Sequence, residues 1–453
     1  MNLSSRCGLC VSALAALCMA CAACRLQPEF DVVISGGTVY DGTGEVAGVR
    51  RADVGLKGDR ITAIGDLSGR RASETIDAYG KVVAPGFIDA RGQSGLTLLV
   101  DRYGESHLRQ GITTEIIGDN SPAFWTMRTA DAATLQRYGL AFDWNGFGGY
   151  FQKLESRGIA LNVGTLVPAS LARAEAIGAD TRAATPADIQ VMDAFVDAAM
   201  RAGAIGLGAA SSRDAAEVNA LAAVAGRYGG PFVSPLGTSL AGPEGAEEII
   251  SMAAQARTAA VVTDLMLITP PDTMTMAQVV ARLSGAGRRG VTAFGTVAPY
   301  APMAEGSDAP AREALKFGSV TIGTNTGAVT AAAAGADTRP AAFGAFPRLL
   351  GQWVRDDHVL ELREAIRRIT SLPANIFHIP QRGIIRETFF ADVVVFDPRT
   401  VLDRTSPEKP HEYPAGINYV IVNGVITLNA QGLTGSRAGH RLLGPGATRR
   451  RPS

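Results

Sequence analysis

Three observations predict an α/β fold, a TIM-type (β/α)8 barrel with a small β-sandwich formed from both ends of the chain. Eight short apolar runs recur along the middle of the sequence, most of them followed by a helix-like stretch. β-rich segments precede and follow that series. The 453 residues, 46% of them hydrophobic, are enough for one large domain of about 250 residues and a smaller one. An open doubly wound sheet is the competing architecture, but no glycine-rich dinucleotide fingerprint supports it: SGAGRRG, Ser284 to Gly290, precedes a strand-like run instead of following one.

Residues 1–24 read as an export signal. The segment begins MNLSSR, with Arg6 in its charged end, and continues as the apolar run CGLCVSALAALCMACAAC. That run is at the short limit for spanning a bilayer. It holds all five cysteines, Cys7, Cys10, Cys18, Cys21 and Cys24. Their paired Cys-X-X-Cys spacing also suits zinc, yet cysteines inside an apolar export segment lack a polar shell to complete a site. Cys24, after Ala22-Ala23, resembles the lipid-attachment cysteine of bacterial lipoproteins. Two outcomes stay open, lipidation at Cys24 or cleavage after a small residue, and both predict a mature domain without cysteine, in the periplasm or on the outer membrane of a bacterium.

Residues 29–81 form the N-terminal part of the small β domain: Asp31 to Glu45, DVVISGGTVYDGTGE, alternates β-branched residues and breaks at Gly36-Gly37 and Asp41-Gly42. Residues 82–380 form the barrel. Its eight runs are KVVAPGFID from Lys81, ITTEIIGD from Ile112, IALNVGTLV from Ile159, AIGLGAA from Ala204, PFVSPLG from Pro231, AAVVTDLML from Ala259, GVTAFGTVAP from Gly290 and VTIGTNTG from Val320. Between them, TPADIQVMDAFVDAAMRAG and EVNALAAVAGRYGG read as helices, the second closed by glycines. Residues 381–436, with ADVVVFDPRTV and INYVIVNGVITLNAQG, return to the small β domain. Residues 437–453, ending GPGATRRRPS, read as a disordered tail.

Lys plus Arg total 43 and Asp plus Glu total 43, without a clustered basic face, which argues against nucleic acid and for a small-molecule ligand. The membrane enters only through the lipid anchor at Cys24.

The ordered segments GGTVYDGTG, PGFID, NVGTLV, RYGG, FGAFPRLLG, SLPANIF, ADVVVFDP, PHEYP and INYVIVNG resemble the N-acyl-D-amino-acid deacylase (D-aminoacylase) branch of the amidohydrolase superfamily, from Phe30 to Gly446. The resemblance implies a barrel whose strand ends hold catalytic zinc, which brings the pKa of its water from 15.7 to about 7. It also implies an N-acylated amino acid as ligand. The family pattern at the first strand is Pro-Gly-Phe-Ile-Asp-X-His-X-His, and here Arg91 and Gln93 stand for the two histidines. Arg is a permanent cation and an amide oxygen a weak zinc donor.

The remaining positions depart from the family in the same way. Asn120, after Asp119, falls on the metal-bridging cysteine; Ala169 and Pro235 fall on histidines; Gly237 falls on a substrate-binding arginine. Asp264 falls on a ligand histidine, Met266 on a lysine, and Asn325 on the catalytic aspartate, whose proton an amide cannot take. Arg339 and Ala341 alter a His-Pro-Arg run. The expected site is therefore a pocket lined by Arg91, Gln93, Asp119, Asn120, Ser121, Asp264 and Asn325, with no metal, no cofactor and no residue assigned as catalytic. Asp119, Asp264, Arg91 and Ser121 converging on the top face would permit metal-free chemistry, against the simpler reading of the two aspartates as helix caps.

No remaining histidine follows a barrel strand. His107 lies in the helix-like stretch before the second strand, toward the N-terminal side of the barrel, and reads like His358, His378, His411 and His440 as a surface or hydrogen-bonded structural residue. Three functions fit: an exported amidohydrolase-fold protein retained for ligand or partner binding, a C–N hydrolase with an unusual site, and an envelope lipoprotein acting through a partner.

Overall fold

The computed structural model describes residues 28–119, 126, 131–209, 214–236, 242–265, 273–300, 308–335 and 338–448. The signal with Cys24, together with Asn120, Ser121, Gly237 and Met266, lies outside them. Among the described residues no helix is long and apolar enough to cross a membrane.

The small domain is a β-sandwich whose two sheets share one apolar interior. One sheet has the order β5-β4-β1-β6, with β1 Phe30–Ser35, β4 Asp53–Lys57, β5 Arg60–Gly65 and β6 Ala72–Asp77. The other has β2 Thr38–Tyr40, β3 Val49–Arg51 and β7 Val82–Pro85 from the beginning of the chain. To these it adds β17 Val393–Phe396, β18 Ile417–Val422, β19 Val425–Asn429 and β20 Gly432–Leu433 from the end. β7 and β17 pair antiparallel, which joins the two ends. Alternation along the strands drives this packing: Val32, Ile34, Val54, Leu56 and Ile76 of the first sheet meet Val39, Val83, Val393, Val395 and Ile421 of the second.

The run Lys81–Asp89 divides between the domains. Its first half is β7 of the sandwich, and only β8, Phe87–Asp89, belongs to the barrel. The boundary expected at residue 82 therefore falls at Gly86, whose amide donates to the Asp392 carbonyl at 2.8 Å while the next residue, Phe87, pairs with Ile112 of the barrel wall.

The barrel wall continues through β9 Ile112–Ile117, β10 Asn162–Thr165, β11 Val167–Pro168, β12 Leu207–Gly208, β13 Phe232–Pro235, β14 Ala260–Thr263, β15 Ala293–Val297 and β16 Val320–Ile322, all in parallel pairs. β10 and β11 are one strand interrupted at Leu166, so the wall has the eight strands expected. The Ala90 amide donates to the Ile322 carbonyl at 3.1 Å, closing the first strand on the last. Ile88, Ala90, Ile116, Leu166, Ile205, Val233, Val261 and Phe294 form the interior cluster, so the barrel is filled by side chains. Phe87, on the opposite face of β8, stacks on Phe346 at 5.9 Å and meets Phe396 edge-on at 6.1 Å.

The helices begin and end where side chains require. Pro186–Ala202 opens on a capping box between Thr185 and Asp188 and stops at Gly203, whose φ of 111° suits glycine. Ala215–Tyr228 opens on Asp214, which accepts the amides of Ala216 and Glu217, and stops at Gly229.

Asp392 ties the two domains together. Its carboxylate pairs with buried Arg382 and accepts from Asn162 of β10 at 3.2 Å and from the Asn423 amide at 2.8 Å. The tail differs from the disorder expected from residue 437. Gly439 donates to the Ile159 carbonyl at 2.8 Å, and the Val163 amide donates to the His440 carbonyl at 2.9 Å, before a short helix at Pro445–Thr448. Its sequence is polar and glycine-rich, but its backbone finds partners beside β10, and Leu443 and Ala447 lie near Gly203.

Candidate functional site

Arg91 follows β8 by two residues and crosses the barrel mouth. Its side chain is 5% exposed; Nε donates to Asp119 Oδ2 at 2.5 Å, and Nη1 donates to Asp264 Oδ1. Asp119 lies just past β9 and Asp264 just past β14, so one guanidinium joins three strand ends. Asn325, past β16, donates from Nδ2 to Asp264 Oδ1 at 3.3 Å and accepts from Gln93 Nε2 at 3.2 Å. Exposed Arg339 donates to the Asn325 carbonyl. Asp264 and Asn325 have left-handed φ values of 59° and 51°, a conformation that Asp and Asn tolerate better than most side chains. This turn at the end of each strand aims both side chains back over the mouth.

The electrostatics hold Arg91 charged. Burial alone would lower its pKa, and the charges of Asp119 and Asp264 overcome that, so it lies above the ordinary value. Burial pushes the Asp119 carboxyl up against the pull of Arg91, with the nearby Asp264 adding to the rise. Asp119 Oδ1 is buried and has no hydrogen-bond partner among the described residues.

These hydrogen bonds link Arg91, Gln93, Asp119, Asp264 and Asn325 in one network. Among the described contacts neither aspartate caps a helix; both face the guanidinium. Pro235 closes β13, Ala169 opens the helix Ala169–Ile177 and Ala341 opens Ala341–Arg348, and these three bring no donor group.

A second cluster lies behind the first two strands. Because Ile88, Ala90 and Ile116 face the barrel interior, alternation turns Asp89 and Glu115 the other way, toward the surrounding helices. Asp89 and Glu115 are register partners. The turn Glu105–Leu108, entered through Gly104 at φ 56°, swings His107 onto them. All three residues are fully buried, and His107 Nδ1 is 3.4 Å from Glu115 Oε2. This corrects only the surface placement of His107 on the N-terminal side: its ring is sealed against the C-terminal half of the wall, where its polar partner is Glu115. Burial pushes the Asp89 carboxyl up to about 6, with His107 opposing and Glu115 reinforcing the shift. For His107 the cost of burial is overcome by Glu115, and its pKa is raised. By contrast His411 has an ordinary partner, the Thr338 carbonyl at 2.9 Å from Nε2.

Residues 331–428 match the model of the Amidohydrolase family. An N-acyl-D-glutamate deacylase of Alcaligenes xylosoxydans xylosoxydans is 30% identical over 88% of this chain and 94% of its own length. The chain belongs to the amidohydrolase superfamily. A D-aminoacylase of the same organism is also 30% identical, over 92% of this chain and 98% of its own. The solved N-acyl-D-glutamate deacylase of Bordetella bronchiseptica, complexed with zinc and a phosphonate inhibitor, superposes with a TM-score of 0.81 at 27% identity, covering 91% of this chain and 99% of that one.

In this amidohydrolase the described residues at the barrel mouth are held in a buried ion pair. Both carboxylates there are engaged by Arg91, and no histidine touches them among the described residues. A divalent ion about 4 Å from the guanidinium would be repelled by about 8 kcal/mol at an effective dielectric of about 20. Gln93 and Asn325 add only amide groups, which bond to each other.

Proposed function

We propose that this amidohydrolase binds an N-acylated amino acid, or a small molecule of like chemistry, at the barrel mouth, without the zinc-dependent hydrolysis of the deacylases it resembles. The observation that carries the reading is the buried Arg91 guanidinium joining Asp119 and Asp264, a fixed cation across the strand ends. It supplies the positive charge that a metal would otherwise bring, so the aspartates stay paired and the barrel stays closed. It cannot activate water as a metal does, because a guanidinium offers no open coordination position. Asn325 deepens the change, since an amide does not accept a proton from attacking water. We further propose that the protein works outside the cytoplasm, as residues 1–24 suggest.

The test is amine release from N-acetyl-D-glutamate and N-acetyl-D-alanine, with and without added zinc, beside calorimetric titration of the same compounds. The reading expects binding without zinc-dependent turnover. Turnover that requires zinc and disappears in Asp264→Ala would overturn it.

One observation favours a second reading, a metal-free hydrolase: Asp119 Oδ1 is unpartnered among the described residues and its carboxyl is pushed up by burial, as suits a general base. Turnover independent of zinc and reduced about 100-fold or more in Asp119→Asn would establish it.

A further inference from the structure

We propose that Asp89, His107 and Glu115 form a binding site for a divalent transition-metal ion, behind β8 and β9 and separate from the barrel mouth. Their ligand atoms lie within 4.8 Å of one another, and each residue is fully buried. Ligands bound tetrahedrally at about 2.1 Å from a zinc-class ion stand about 3.4 Å apart. The His107 Nδ1 to Glu115 Oε2 distance is 3.4 Å.

The distribution of hydrogen bonds points to an ion. Asp89 Oδ1 accepts the Arg91 and Thr324 amides at 3.0 Å each, and Oδ2 accepts the Thr324 hydroxyl at 2.6 Å. Glu115 Oε1 accepts the Ser94 amide at 3.1 Å. These bonds orient the carboxylates as outer partners orient metal ligands. Among the described residues, Glu115 Oε2 and both nitrogens of His107 are left without a hydrogen bond; Oε2 and Nδ1 face each other at 3.4 Å, sealed from solvent. Buried polar atoms are almost always partnered, and an ion can bond to Glu115 Oε2 and to one of the two ring nitrogens, each residue of the cluster offering one ligand atom. An ion binding there would displace the proton that Glu115 favours on His107; the two carboxylates and the neutral imidazole then carry a charge of −2, which a divalent ion cancels. One nitrogen and two oxygens suit Zn²⁺, Co²⁺, Mn²⁺ or Fe²⁺ better than a thiolate-seeking metal. The site also has a structural reason: Asp89 binds the backbone of both Arg91 and Thr324, so an ion there would fix the loops that carry Arg91 and Asn325 over the mouth.

The test is titration of the full chain, stripped with chelator, with Co²⁺ alone, read by visible absorption, by retained metal after desalting and by the shift in melting temperature. The expected result is about one Co²⁺ per chain, a spectrum of low-symmetry nitrogen and oxygen ligation, and a higher melting temperature. Affinity should fall at least 10-fold in His107→Gln and Glu115→Gln and be unchanged in Asp264→Asn. Absence of any retained Co²⁺ in the wild type overturns the proposal even where a variant fails to fold. Equal binding by the wild type and a folded His107→Gln also overturns it. Binding lost in Asp264→Asn but kept in His107→Gln would place the ion at the barrel mouth, and would overturn the reading of that mouth as well.

Discussion

Replacing Arg91 by leucine isolates the guanidinium's part in the barrel mouth. The side chains of Arg91, Asp119 and Asp264 are 5%, 3% and 9% exposed, so the change leaves two carboxylates in a site that excludes water. Removing one partner of such a group costs about 3–5 kcal/mol, because the charge left behind has neither water nor a counter-ion. At about 2 °C per kcal/mol for a chain of this size, the melting temperature should fall by roughly 6–10 °C. The pH dependence has a definite sign. Without the cation, the folded-state pKa of Asp119, already above the ordinary 3.8, rises further, so the folded variant holds a proton that the unfolded chain releases. The penalty is then full at neutral pH and shrinks as the pH falls toward the ordinary carboxylate range. Calorimetric melting of wild type and variant at neutral and mildly acidic pH measures both effects. A variant that melts with the wild type at each pH would refute the reasoning. The combined replacement Arg91→Met, Asp119→Leu, Asp264→Leu should recover much of the loss, since it removes the charges together.

Other changes test the surrounding structure. Alanine at Gly92 would place a Cβ 1.8 Å from Glu115 Oε1 and 2.2 Å from its Cγ. Gly92→Ala should therefore displace Glu115, lower stability by about 1–3 kcal/mol and weaken Co²⁺ retention, as urea denaturation and metal analysis would show. Glu364 bonds to Arg367 and Arg368, which overcome the cost of its burial and hold its pKa below the ordinary 4.5. Its stabilisation is present above that ordinary value and lost as the pH falls through the folded-state value, so Glu364→Gln should be less stable than wild type at neutral pH and match it in acid. Thr185→Ala removes the capping box that starts Pro186–Ala202 and should cost about 1 kcal/mol by denaturant titration.

Much of the architecture is legible in the sequence because it rests on local signals. Eight apolar runs, glycine stops such as Gly229 and the β-rich ends each mark an element by its own composition. The split of Lys81–Asp89 is not legible, since both halves are apolar and only pairing with β17 or β9 separates them. The ordered part of the tail is hidden for a similar reason: its partners, Ile159, Val163 and Gly203, lie far away in the chain. At the mouth, the departures at Arg91 and Asp264 could be read from motif positions, but their pairing spans 173 residues and follows only from the closed barrel. The cluster behind the wall is legible only through Glu115. A lone carboxylate inside the fully buried and otherwise uncharged strand ITTEII is a signal that something must neutralise it, and His107 lies eight residues earlier.

The claim that Arg91 occupies the place of a metal is tested most directly by anomalous diffraction at the zinc edge from crystals of the zinc-equilibrated protein. The account predicts no anomalous peak between Asp119 and Asp264, with Arg91 still bridging them; a peak there, with the guanidinium displaced and the aspartates turned to the metal, would contradict it.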